Sequence, residues 1–116
     1  MFNYGYSLYM DISYDPSTAG KCLVAYADGN STKVGKSKVG TVSGTGVSFG
    51  SSATFNSGVT DYICLAADPN TAGKYVIAYR HTNEQMGYAI VASVSGSTVS
   101  YGTPLCLVQW SLIELE

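Results

Sequence analysis

Few side chains in this chain could carry out acid–base chemistry. Its 116 residues include eight acidic side chains and one histidine, His81. A pair of carboxylates can hydrolyse a glycosidic bond, and Asp11 and Asp61 are the candidates for such a pair. Asp15 and Asp68 each precede a proline, a position at which an aspartate commonly stabilises a turn. We therefore expect no catalytic residue and no enzymatic activity.

The three cysteines do not indicate a metal or redox site. Cys22, Cys64 and Cys106 are widely spaced, and each lies in an apolar run. Zinc-binding cysteines come in closely spaced pairs with further Cys or His ligands. We expect three buried thiols that pack as small hydrophobic side chains. The Asp-Gly-Asn segment at 28–30 supplies too few oxygens for calcium, so neither a metal nor another cofactor is expected.

The composition excludes several classes of partner. Charged residues make up 12% of the chain and only six are basic, whereas a charged share of ~25% is usual. Nucleic-acid binding needs many Lys and Arg to neutralise phosphates, so we expect no nucleic-acid partner. The first residues lack the basic and apolar regions of a signal peptide, and no apolar run approaches the ~20 residues that span a bilayer. We expect a soluble protein without a membrane partner, in a compartment that the sequence does not indicate.

An internal repeat organises the sequence. Residues 15–26 match residues 68–79 at an offset of 53, with eight of twelve positions identical, and residues 42–50 match residues 94–102 at an offset of 52. The second copy is therefore one residue shorter than the first. We divide the chain into a first repeat over 1–60, in which 1–3 form the tail of a preceding repeat, a second repeat over 61–109 and an unmatched tail over 110–116.

Each repeat contains four strand-like runs bounded by turn sequences. The runs are 8–14, 22–27, 34–42 and 47–55 in the first repeat and 62–67, 75–80, 87–94 and 99–108 in the second. Short connections between consecutive strands imply antiparallel neighbours, so we expect an all-β chain with two four-stranded meander sheets. Residues 22–26 and 75–79 are apolar at every position, which predicts that both faces of each second strand are buried.

Tandem meanders of about 50 residues with the Val-Ser-Gly and Val-Ser-Phe-Gly sequences of 42–50 resemble the blades of β-propellers. The resemblance implies a wheel of ~4–8 blades, of which this chain supplies two. We then expect ring closure by two to four copies, with a trimer favoured, because an open apolar blade face is rarely tolerated in a stable monomer. A fragment of a longer propeller fits the same pattern. The alternative fold is a two-sheet β-sandwich.

One rim of the predicted sheets varies between the repeats. The loops after each second strand differ in residues and length, whereas the loops on the other rim are nearly identical. Because loops carry binding sites, we predict a ligand site on the variable rim. Its candidate residues are Tyr26, Asp28, Asn30, Tyr79, Arg80, His81, Asn83 and Glu84.

The biochemical function is unknown from the sequence, and the pattern favours a non-enzymatic module that self-associates as a structural or recognition scaffold. Ten tyrosines and many small polar side chains make a glycan the expected ligand. The alternative is a fragment of a carbohydrate-active propeller enzyme, with Asp11 and Asp61 as its carboxylates.

Overall fold

A computed structural model describes residues 7–109 as a curled antiparallel β-sheet. The strands are β1 (Ser7–Tyr14), β2 (Lys21–Asp28), β3 (Val34–Ser43), β4 (Gly46–Phe49), β5 (Ala53–Ala67), β6 (Lys74–His81), β7 (Met86–Ser95), β8 (Thr98–Tyr101) and β9 (Leu105–Gln109). A short 3-10 turn, Gly29–Ser31, lies between β2 and β3. The described range contains no α-helix, and none of its segments is a helix long and apolar enough to cross a membrane. The predicted all-β class is confirmed.

Two meanders are joined through the long strand β5. The strand order is β1-β2-β3-β5-β6-β7-β8, with β4 beside β3 and β9 beside β7. Strand β5 pairs with β3 as far as Val59 and with β6 from Thr60 onward. We refer to residues 7–59 as repeat 1 and to residues 60–109 as repeat 2. The predicted segments 1–3 and 110–116 lie outside the described residues.

The strand limits differ from the predicted ones in the outer part of each repeat. The runs predicted at 47–55 and 99–108 are each divided in two, because Gly50 and Gly102 donate their backbone N–H groups to Val39 and Val91 at the point where the chain bends. The predicted connection 56–61 is instead part of β5. Its turn-like residues remain extended at a register shift, where Asn56 Nδ2 donates to Thr60 Oγ1 at 2.8 Å.

The turn between the first two strands is the same in both repeats. Asp15 Oδ1 accepts a hydrogen bond from the Ser17 N–H, and Asp68 Oδ1 accepts one from the Asn70 N–H, both at 2.9 Å. The turn ends at Gly20, which has a φ of 73°. A side chain there would be strained, since a Cβ would lie 2.8 Å from the Val42 carbonyl oxygen. These bonds provide the turn stabilisation expected of the two aspartates.

The core lies between the two repeats. Repeat 1 contributes a docking face, Leu23, Ala25, Ala27, Val39 and Phe55, and repeat 2 a receiving face, Tyr75, Ile77, Tyr79, Ile90 and Ala92. The Phe55 ring meets the Tyr79 ring edge-on, with 5.1 Å between centroids. All ten side chains are buried, so repeat packing accounts for most of the described core.

Only one of the two second strands is buried on both faces. In β2 every residue from Cys22 to Asp28 is buried, as predicted, but β6 alternates between buried and exposed positions. Val76 on β6 is 46% exposed. The prediction for 75–79 was therefore wrong, because within the described chain repeat 1 covers the receiving face of repeat 2 and the opposite face is open.

Candidate functional site

In repeat 1, the residues of the variable rim are engaged in local structure. Asp28 is buried and caps the 3-10 turn, where its Oδ1 accepts from the Asn30 N–H at 3.0 Å. Its Oδ2 pairs with Lys36 Nζ at 2.9 Å. Tyr26 is fully buried, and burial raises the pKa of its phenol to about 12. Of the three candidates in this repeat, the Asn30 side chain is the exposed one.

In repeat 2, the rim residues gather around Tyr88. Its hydroxyl donates to Glu84 Oε1 at 2.8 Å, which raises the pKa of Tyr88. The His81 ring packs edge-on to Tyr88, and its Nε2 lies 4.0 Å from Glu84 Oε2. Tyr79 also stacks on Tyr88, but it belongs to the core, and burial raises the pKa of Tyr79 to about 12. Asn83 and Glu84 are exposed, so this rim presents polar side chains while both predicted tyrosines are internal. That the rim binds a ligand stays a prediction.

The two candidate catalytic carboxylates both make structural bonds. Asp11 Oδ1 accepts from the Ile12 N–H at 2.9 Å, and its Oδ2 accepts from the Leu65 N–H at 2.8 Å, which joins β1 to β5. Asp61 forms a two-point ion pair with Arg80, through Nε at 2.7 Å and Nη2 at 2.6 Å. Both oxygens of each carboxylate are therefore occupied, and neither geometry favours a proton donor or a nucleophile.

The remaining residues that could take part in catalysis or metal binding do not form a site either, within the described part of the chain. Residues 46–50 have the form Gly-x-Ser-x-Gly, but Ser48 lies within β4 and no helix follows, unlike a nucleophile elbow. Within 7–109, no three His, Cys, Asp or Glu side chains are grouped so that they could hold a metal ion. The expectation of three buried thiols was wrong: Cys22 is buried, whereas Cys64 and Cys106 are exposed. Cys64 lies opposite Ala78, on the uncovered face of repeat 2.

That uncovered face, which we call the open face, is apolar. It consists of Val76, Ala78, Val91, Leu105 and Leu107, which occupy the sequence positions of Leu23, Ala25, Val39, Ala53 and Phe55 in repeat 1. The position of Ala27 in the docking face is occupied in repeat 2 by the charged Arg80. Leu105 and Leu107 are 67% and 56% exposed. Two shallow cavities of about 250 and 350 Å³ lie along the face. The open face therefore repeats the docking face without a covering layer.

Polar contacts cross from repeat 1 to repeat 2 beside the core. Asp15 Oδ2 accepts from the Gly73 N–H at 2.8 Å. The Ser17 and Gly73 N–H groups together hold the pKa of Asp15 below its usual value. Lys21 Nζ reaches the Gly96 carbonyl oxygen at 3.3 Å. The Ser37 and Tyr101 hydroxyls are hydrogen-bonded to each other, so a row of polar bonds fixes how the repeats are aligned.

A pair of exposed tyrosines was missed in the sequence. Tyr9 and Tyr62 are equivalent at the offset of 53, and their φ angles are 51° and 50°. A bulky residue at positive φ is an outlier that costs about 1–3 kcal/mol. Each lies at a register shift, in β1 and β5 respectively. The matched tyrosines were visible in the sequence, but their backbone conformation was not.

The tyrosine pair is connected to the rim through Arg80. The two ring centroids are 5.8 Å apart, with an angle of 55° between the planes. The Arg80 guanidinium carbon lies 4.7 Å from the centroid of Tyr62, while Asp61 forms hydrogen bonds with the same guanidinium.

Comparisons with protein-family models, with curated proteins and with solved structures found no match.

Proposed function

We propose that this chain is a non-enzymatic repeat module of β-propeller type, which self-associates and serves as a structural and recognition scaffold. The single observation that carries the proposal is the open face of repeat 2. Large contiguous apolar patches on a protein surface mark interaction sites. Here the fitting partner is present in the chain, since the same surface of repeat 1 is covered by a second repeat.

The two faces differ strongly in solvent exposure, although the side chains at their apolar positions are similar. Leu23 and Val39 are 0% and 1% exposed, whereas their counterparts Val76 and Val91 are 46% and 45% exposed. A β-sandwich presents polar residues on its outer faces, and repeat 2 does not. The open face therefore supports a further copy as its occupant over a closed two-sheet sandwich.

The polar groups beside the docking face also recur beside the open face. Asp68 and Lys74 occupy the positions of Asp15 and Lys21. Lys74 Nζ donates to Ser93 Oγ at 2.6 Å, as Lys21 Nζ donates to Thr41 Oγ1 at 2.9 Å. A second copy seated in the same way would offer its Gly20 N–H to Asp68, as Gly73 offers its N–H to Asp15.

The hydroxyl pair that joins the two repeats is replaced by two apolar side chains on the surfaces of the proposed contact between copies. Within the chain, Ser37 faces Tyr101 and the two hydroxyls bond. The counterpart of Ser37 is Ala89, and the counterpart of Tyr101 is Phe49. Both hydroxyls are thus absent together, so head-to-tail docking would pair two apolar side chains and leave no buried hydroxyl unsatisfied.

Head-to-tail docking makes one further demand. The receiving face of repeat 1 consists of Cys22, Val24, Tyr26, Lys38 and Gly40, at the positions that Tyr75, Ile77, Tyr79, Ile90 and Ala92 hold in repeat 2. All of these except Lys38 are buried in the chain, and Lys38 places a charge where repeat 2 has Ile90. A second copy must gain access to that face, whereas a two-fold pairing of two open faces needs no such step. We favour the head-to-tail form because of the recurring polar groups and the matched loss of hydroxyls. A ring of two to four chains, with three preferred, completes the wheel.

Charged substitutions at two exposed valines, one on the open face and one outside it, test self-association. Val91→Glu places a carboxylate on the open face, and Val47→Glu places one at a somewhat more exposed valine on β4, outside that face. In sedimentation velocity we expect Val91→Glu to shift the chain to the monomer, while Val47→Glu retains the wild-type particle and both variants stay folded. Equal behaviour of the two variants would contradict the proposal. Cross-linking of Asn70→Cys to Pro16→Cys in mixed samples, with Cys64 and Cys106 replaced by serine, then separates head-to-tail contacts from paired open faces. Asn70 and Pro16 hold the positions of Ser17 and Pro69, which are in contact within the chain.

A further inference from the structure

Tyr9 and Tyr62 keep a costly backbone conformation where glycine would not be strained. Among the described residues, positive φ occurs at the matched glycine pairs Gly20 and Gly73, and Gly44 and Gly96, and at three residues in connections between strands, Thr32, Lys33 and Gln85. Tyr9 and Tyr62 are the two that lie within strands. At the two bulges the chain has tyrosine, at matched positions of both repeats. Strained residues that persist in this way cluster at functional sites. The side chain, rather than the backbone, is therefore what these positions require.

Core packing does not account for the two rings. Tyr9 is 49% and Tyr62 61% exposed. Their planes are inclined at 55°, so the pair presents two aromatic surfaces at an angle. Ring faces carry partial negative charge and attract positively polarised hydrogen atoms. A ligand with a face of C–H groups therefore fits these rings.

The charges around the rings favour an uncharged ligand. Arg80 lies over the Tyr62 ring, but Asp61 pairs with it at two points, so the charge of the cluster is internally balanced. A guanidinium already against the ring also disfavours a cationic ligand. Hydroxyl groups can still hydrogen-bond to such polar side chains. A C–H face with hydroxyls at its edge is the surface of a neutral sugar ring.

We propose that Tyr9 and Tyr62 form an aromatic platform that binds a neutral saccharide, with a pyranose ring stacked on the tyrosines and its hydroxyls directed to Arg80. This proposal deepens the recognition part of the proposed function, since it names the ligand class and the residues that hold it. The platform does not depend on self-association, because both rings belong to one chain.

Assembly also leaves the platform accessible. Tyr9 lies at the contact between repeats, where β1 runs beside β5 and Asp11 bonds to Leu65, and it remains 49% exposed. Tyr62 has the equivalent position at the open face, so a second copy docked there would leave its ring similarly exposed. Arg80 has the position of Ala27, which is 0% exposed, so a docked copy would cover Arg80 and the rings would supply the contact to the sugar. An assembled particle would display several platforms, and multiple weak sites raise the overall affinity for a branched or repeating glycan.

The test compares three tyrosine-to-glycine variants in binding and in stability. The wild-type chain is titrated by calorimetry with neutral oligosaccharides of glucose, galactose, mannose and N-acetylglucosamine. Tyr9→Gly and Tyr62→Gly are expected to weaken binding at least tenfold without lowering the melting temperature, because glycine relieves the positive φ. Tyr14→Gly is the matched control, since Tyr14 is an exposed tyrosine of β1 without positive φ. It is expected to bind as the wild type does and to melt earlier.

Three results would overturn the platform. The wild-type chain could bind none of the saccharides, the two platform variants could melt earlier than Tyr14→Gly, or a proline-rich peptide could bind in place of sugars. Particle mass, measured on the same samples, separates this proposal from self-association. Lost binding with unchanged mass supports the platform alone, and unchanged binding in Tyr62→Gly contradicts it whatever the mass.

Discussion

The docking face of repeat 1 and the open face of repeat 2 have the same sequence positions and opposite surroundings. Phe55 is 6% exposed and its counterpart Leu107 is 56% exposed. Phe55 lies over Gly35 of the third strand, and the backbone pairing of Gly35 with Asn56 recurs as that of Gly87 with Val108. Local strand pairing is therefore alike, and the difference is that repeat 2 covers the docking face whereas none of the described residues covers the open face.

The comparison separates two sources of stability in a repeat protein. Stacked repeats gain stability from their own folding and from the interface with each neighbour. In this chain one interface is formed inside and is buried, while an equivalent surface is exposed at the end of repeat 2. Substitutions at matched positions should therefore act on folding in repeat 1 and on association in repeat 2.

The largest effect on the free energy of unfolding is expected at Phe55, in comparison with its counterpart Leu107. Phe55→Ala removes a buried ring that contacts Tyr79 and Tyr101, at a cost of about 3–5 kcal/mol in the free energy of unfolding. Leu107→Ala changes that of the unassociated chain by less than about 0.5 kcal/mol but weakens self-association. Urea unfolding at low concentration and sedimentation at high concentration measure the two effects. Equal destabilisation by both substitutions would show that the two faces are not different in cover.

A smaller effect on the free energy of unfolding is expected at Ser37 and Tyr101, whose hydroxyls are both absent from their counterparts Ala89 and Phe49. Ser37→Ala removes one hydrogen-bond partner of the part-buried Tyr101 hydroxyl, which keeps the Ala53 carbonyl oxygen as its acceptor, and is expected to cost about 0.5–1.5 kcal/mol. Adding Tyr101→Phe recreates the Ala89 and Phe49 combination and should recover most of that loss. Thermal unfolding of the two single variants and the double variant gives the coupling energy. Additive losses would remove the support that this pair lends to head-to-tail docking.

The smallest effect is expected at the aspartates of the repeated turn, and it depends on pH. The Ser17 and Gly73 N–H groups lower the pKa of Asp15 in the folded chain, so its carboxylate stabilises the fold above its unfolded pKa, near 3.8. That stabilisation is lost as the pH falls through the lower, folded value. Asp15→Asn should reduce stability at pH 7 and flatten the loss in acid. Asp68 lacks the bond from a second repeat among the described contacts, so Asp68→Asn should change the urea midpoint less at pH 7. A larger change from Asp68→Asn would reverse the assigned roles.

Much of the fold could be predicted from the sequence because the turns have recognisable sequences. The Asp-Pro turn ending in glycine, the Ser-Gly turn and the short connections predict antiparallel meanders, and these form. Strand β5 could not be predicted, since its central residues 56–61 have turn-like composition and are held extended by pairing first with β3 and then with β6. An apolar run such as 75–79 also does not predict which face of the strand is buried, because burial depends on whether another repeat packs on that face.

The site was less predictable than the fold. The rim was chosen because its loops vary, and the structure places Asn30, Asn83 and Glu84 on the surface but Tyr26 and Tyr79 inside. Burial of a tyrosine in a strand depends on packing from other elements, which local sequence does not contain. The positive φ of Tyr9 and Tyr62 likewise follows from bulges in strand pairing, and no local residue pattern signals it.

The most direct test of self-association is the mass of the native particle as a function of concentration. Native mass spectrometry, supported by sedimentation equilibrium, should show a discrete particle at a whole multiple of 12.2 kDa, with three chains as the favoured number. Val91→Glu should reduce it to one chain. A wild-type chain that stays monomeric at high concentration would contradict the claim that the open face of repeat 2 is completed by another copy.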